Sequence, residues 1–137
     1  IDAFPDGISI FRNITPSDYF QLANKYKKIK FIWAHMGGYQ ILDFLLLGKR
    51  LSNVFFDFSY SFLYFRNSSI EKDFFYSFKN LKFEKFFFGS DYPDRSIKLT
   101  NKLTLDLFKK YKLNFIEKKK LMYINAKQFI DDEKLQS

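Results

Sequence analysis

Apolar and polar positions fall along this chain in blocks of two different periods. "KFIWA" (Lys30–Ala34), "NVFFDF" (Asn53–Phe58) and "KFFF" (Lys85–Phe88) are short, almost unbroken apolar runs rich in aromatic and β-branched residues. Such runs predict buried strands. The blocks between them carry helical spacing. Thr15 offers an N-cap and Pro16 suits a first helical position, with Tyr19, Leu22, Ala23 and Tyr26 on one face, so a helix is predicted from Ser17 to about Lys27. "QILDFLLLGKR" predicts a second helix with Gly48 as its stop. "SSIEKDFFYSFKNL" predicts a third, capped by Ser68 or Ser69, and "IKLTNKLTLDLFKKY" a fourth. "FIEKKKLMYINAKQFI" predicts a last helix, with Ile116, Leu121, Ile124, Ala126 and Phe129 largely on one side. At the front, Ile1-Asp2-Ala3 reads as the end of one more strand.

Strands alternating with helices imply βαβ units and a parallel sheet covered on both faces. Polar residues then gather at the carboxyl ends of successive strands: Asp2, His35, Asp57 with Ser59, and Asp91. In parallel α/β folds that edge is where chemistry is built. The glycines beside His35 and Asp91 let the backbone turn there, and Pro93 stiffens the exit.

The 137 residues suffice for a single domain spanning 1–137. The net charge of +8 admits a basic nucleic-acid-binding domain. That reading ranks last, because the basic residues are mostly lysine and scattered. Their abundance beside Phe, Tyr, Ile and Asn matches A/T-rich codons. Only Glu117–Lys120 forms a charge run, which reads as a solvated helix face. The 20 phenylalanines read as core. Cysteine is absent, which excludes disulfides and thiolate metal sites. No apolar run reaches the roughly 20 residues that span a bilayer. A cytoplasmic protein without membrane or nucleic-acid partners is expected. The start at Ile1 suggests a processed chain or the tail of a longer one.

"FIWAHMGG", "NVFFDFSYS", "FFFGSDYP" and the late "YINAKQFI" resemble, in this order and spacing, the C-terminal half of the amidohydrolase-related family. The resemblance covers nearly the whole chain. It implies the parallel-stranded part of a (β/α)8 TIM barrel, about strands 5–8 with their helices, from a metal-dependent hydrolase or decarboxylase. His35 matches the strand-6 histidine that binds metal or contacts water and substrate. Asp91 matches the strand-8 aspartate that adjoins the metal and acts as base toward its water. The usual strand-5 histidine ligand is matched by Asp2 instead. Asp57 and Ser59 stand where strand 7 shapes the pocket. The family's strand-1 histidine pair, and a further ligand near strand 4, would precede Ile1.

The resemblance therefore implies a divalent metal, zinc first and manganese as the alternative, held by Asp91, His35 and Asp2. It implies hydrolysis of a C–N or C–O bond, or decarboxylation, of a small-molecule substrate. Metal-bound water ionises near pH 7 in favourable sites, and a neighbouring carboxylate can take its proton. Catalytic zinc usually takes three protein ligands. Arg66 and Arg95 are candidates for a substrate carboxylate. A full barrel runs about 250 residues and has no free edges. This chain is expected to be inactive alone, with a bare edge at "KFFF" that favours a homo-oligomer or a missing N-terminal half as partner. A non-catalytic remnant or binding module of the same fold is the alternative.

Overall fold

The computed structural model describes residues 15–134; Asp2, and with it the strand end expected at the front of the chain, lies outside them. Three βα units follow one another. Helix α1 (Pro16–Lys25) leads into β1 (Phe31–Trp33), α2 (Ile41–Arg50) into β2 (Val54–Asp57), and the short α3 (Ser61–Tyr64) with α4 (Glu71–Asn80) into β3 (Phe86–Phe87). Helices α5 (Ile97–Lys110), α6 (Phe115–Lys119) and α7 (Asn125–Lys134) complete the chain, α6 and α7 being joined by a π-helical turn, Lys120–Ile124. The strands form an open parallel sheet in the order β1-β2-β3, with Ile32 opposite Phe55 and Phe56 opposite Phe86. The chain is thus a mixed α/β fold built on a small parallel sheet.

Side-chain alternation sends Trp33, Phe56 and Phe86 to one face, where all three are fully buried. Aromatic edges from the helices close on them: Tyr19 and Phe44 on Trp33, and Phe78 on Phe86 at 4.8 Å between ring centres. Each buried phenylalanine contributes about 2 kcal/mol of transfer free energy. The opposite face carries Ile32, Phe55 and Phe87. Phe129 of α7 packs on Phe55 and Phe87 at 4.9 and 5.2 Å, while Ile32 remains 37% exposed. Coverage on both faces, as expected of a parallel sheet, is therefore complete on one side and partial on the other.

The open carbonyls at element ends are met by specific side chains. Asn53, at the entry to β2, donates to Ala23 O, Tyr26 O and Ile29 O at the end of α1 and the loop beyond it. Lys85, at the entry to β3, donates to Gly48 O and Leu51 O at the end of α2. Burial holds the Lys85 ammonium below its usual range.

Four expectations change. Gly48 does not stop α2, which runs on to Arg50; a Cβ there would lie 2.8 Å from the Phe56 ring and 2.9 Å from Leu81. This glycine serves close packing of helix on sheet. Helix α4 begins at Glu71, and Ser68 accepts from Ile70 N–H just ahead of it, shaping the loop instead of capping the helix. The last helix is interrupted by the π turn. The β3 edge is not bare: Phe88 N–H donates to Leu121 O, and buried Asn125 donates to Phe86 O and Phe83 O. Because Lys85 O and Phe87 O serve β2, alternation places Phe86 and Phe88 on the outer edge. The chain's own C-terminal segment covers that edge.

Candidate functional site at the strand ends

Each strand ends in a backbone that bulky residues rarely adopt. His35 after β1, Tyr60 after β2 and Asp91 after β3 have φ of 60°, 50° and 67°. Non-glycine residues in this region cost of order 1–3 kcal/mol and cluster at functional sites. Here they turn three chain exits toward one point. Gly89 makes the third approach possible, because a Cβ at that position would sit 2.9 Å from Ser59 Cβ and 3.2 Å from an Asp57 carboxylate oxygen. The glycine lets the exit of β3 pass against the exit of β2 and delivers Asp91 beside His35.

The Asp57 carboxylate accepts from Ser59 N–H at 2.5 Å and from Ser59 Oγ–H at 2.9 Å, a local turn common to Asp. This fixes Ser59, whose carbonyl oxygen lies 2.9 Å from His35 Nδ1, with its Oγ 3.4 Å from the same nitrogen. Donation from Nδ1–H to the carbonyl sets the neutral ring's tautomer and leaves the lone pair on Nε2. Nε2 faces Asp91 Oδ1 across 3.9 Å. Both side chains are partly buried, at 19% and 32% exposure. Burial pushes the Asp57 carboxyl above its usual range, and the two Ser59 donors and the nearby imidazole only partly offset it.

A gap of 3.9 Å is too long for a hydrogen bond. It suits two donors that share a third atom, since ligands about 2.1 Å from one ion lie at most roughly 4.2 Å apart. His35 Nε2 and Asp91 Oδ1 are thus near enough for one atom to touch both. Among the described residues, no group of three or more His, Cys, Asp and Glu side chains is placed to hold an ion. The oxygens of Asp57 are taken by Ser59, so that carboxylate supports the site from behind. The described residues therefore bring together two of the three side chains expected to hold a metal, short of a set that could hold an ion, and Asp2 lies outside them.

Beside this pair is a cleft of about 220 Å³ lined by His35, Tyr60, Ser61, Tyr64, Asp91, Asp94 and Arg95. Arg95 belongs to it, its guanidinium carbon 4.4 Å from the centre of the Tyr60 ring. Arg66 is exposed and outside it. Sequence reasoning singled out Asp57 and Ser59 but not their linkage to His35. The signal was the Asp-x-Ser spacing at a strand exit, which is Asx-turn chemistry. Ser61 and Tyr60 carried no signal, because the short helix α3 that presents them was not anticipated. In comparisons with known proteins, the chain matches no family model, no curated protein and no solved structure.

Proposed function

We propose that these strand ends are the histidine–aspartate part of an amidohydrolase-like site, with the chain acting as the C-terminal strands of a (β/α)8 barrel. The activity of the complete site would be hydrolysis of a C–N or C–O bond, or decarboxylation, in a small molecule. The supporting observation is His35 Nε2 turned to Asp91 at the carboxyl edge of a parallel sheet, with Nδ1 held on Ser59 O. In this reading Asp91 accepts a proton from the attacking water and returns it to the leaving group. His35 orients water or substrate through Nε2, or binds the ion there. A divalent ion, when bound, supplies a low-pKa water and charge stabilisation.

Zinc titrated into the 15N-labelled full chain tests the reading. His35 is the only histidine, so a single imidazole reports. The expected result is a saturable change at Nε2 with Nδ1 still protonated, weakened about tenfold or more by Asp91→Asn. An imidazole that ignores zinc, or equal binding by the variant, would instead favour the non-catalytic module of the same fold.

A further inference from the structure

The cleft beside His35 and Asp91 contains a polar atom with nothing to bond. Ser61 is 1% exposed, its Oγ has no hydrogen-bond partner among the described residues, and it lines the cleft wall. A buried hydroxyl left unpaired is costly, so an atom of this kind in a cleft wall points to a ligand group that would pair with it. Arg95 stands at the same wall. Its guanidinium rests over Tyr60, and its nearest carboxylate, Asp94, is 3.9 Å away on an exposed side chain. That pair is too long for a hydrogen bond and too exposed to hold the group strongly. The contact with Tyr60 holds the guanidinium against the ring and takes none of its N–H groups, which suits a bidentate carboxylate.

We propose that Arg95 and Ser61 form a subsite for the carboxylate of a small monoanionic ligand, whose uncharged body lies along Tyr60 and Tyr64 toward His35 and Asp91. The cleft's polarity sets this orientation. The Asp91 carboxylate beside His35 disfavours a second anionic group at that end, and a ligand carboxylate at Arg95 would take the place of the exposed Asp94 side chain, 3.9 Å from the guanidinium. A cleft of about 220 Å³ suits a small acid. As an account of substrate the inference rests on the proposed function, but carboxylate binding itself needs no metal.

The test is benzoate against its uncharged isostere benzamide, titrated without metal into the full chain and followed at the His35 imidazole and the Arg95 side-chain N–H. Benzoate is expected to bind saturably and benzamide not. Arg95→Ala should weaken benzoate about tenfold or more, and Ser61→Ala several-fold with the fold unchanged. Arg66→Ala, the same change of charge outside the cleft, should leave binding as it is. Equal binding of both compounds, equal binding by Arg95→Ala, or no benzoate binding would overturn the subsite. Because zinc is titrated separately, a chain that binds benzoate through Arg95 and ignores zinc keeps the subsite and loses the proposed function.

Discussion

At the scale of single residues, a buried carboxylate and a half-buried one are handled in opposite ways. Glu71, 3% exposed, accepts from Asn67 N–H at 2.7 Å, Lys110 Nζ at 2.5 Å and Tyr111 OH at 2.6 Å. Burial works to raise its pKa, but these donors outweigh burial and hold the carboxyl below its ordinary 4.5. The Tyr111 phenol is pushed up to about 12 by burial and by its bond to Glu71. Since folding lowers the Glu71 pKa, its stabilisation is complete above the unfolded value and lost as pH falls through the folded one. Glu71→Gln is expected to cost about 2 kcal/mol at pH 7, and the difference from the parent to shrink in acid. Urea unfolding at pH 7 and pH 3 reads both, and an equal difference at the two pH values would contradict the charge-based account. Asp57 has the reverse sign. Burial raises its pKa, so its ionisation removes stability as pH climbs from 3.8 through the raised value. A tie between α4 and α5 is well compensated; a carboxylate behind a candidate site is not, as functional sites often show.

At the scale of elements, Gly48 and Asn125 show what the sequence could and could not convey. The three strands were legible because short apolar runs between amphipathic helices have few other readings, although β3 covers only two residues of its run. Gly48 was misread because a helix stop and a close helix–sheet contact are written with the same residue. Gly48→Ala separates the two roles. An exposed helix interior would gain about 1 kcal/mol from alanine. Here the new methyl group meets Phe56 and Leu81 at under 3 Å, and a net loss of about 1–3 kcal/mol in thermal unfolding is expected; a gain would contradict the packing role. The π turn was illegible for a different reason. Helical periodicity continues on both sides of it, and the contacts made there are long-range: Leu121 O accepts from Phe88 N–H, and Asn125 just after the turn donates to Phe86 O at the outer edge of β3.

At the scale of the whole molecule, the sheet is open, yet its ends are organised. α7 closes the outer edge of β3 and lays Phe129 on the second face, so the aromatic excess forms a core on both sides of the sheet. The candidate site was legible as positions, since polar residues just past buried strands fall on one edge of any parallel sheet. Its geometry was not legible, because it depends on three left-handed turns and on the contact that only Gly89 permits. Arg95 and Arg66 were equivalent in sequence, and the fold brings only Arg95 to the cleft.

The central claim is that these turns present His35 with Nδ1–H on Ser59 O and Nε2 facing Asp91. The most direct measurement is the 15N spectrum of the neutral imidazole, which in a chain with one histidine has no overlap. The account predicts the Nδ1–H tautomer, with the proton shared toward a carbonyl oxygen. An Nε2–H ring, or a mixture of tautomers like that of free histidine, would mean that the strand ends do not assemble this site.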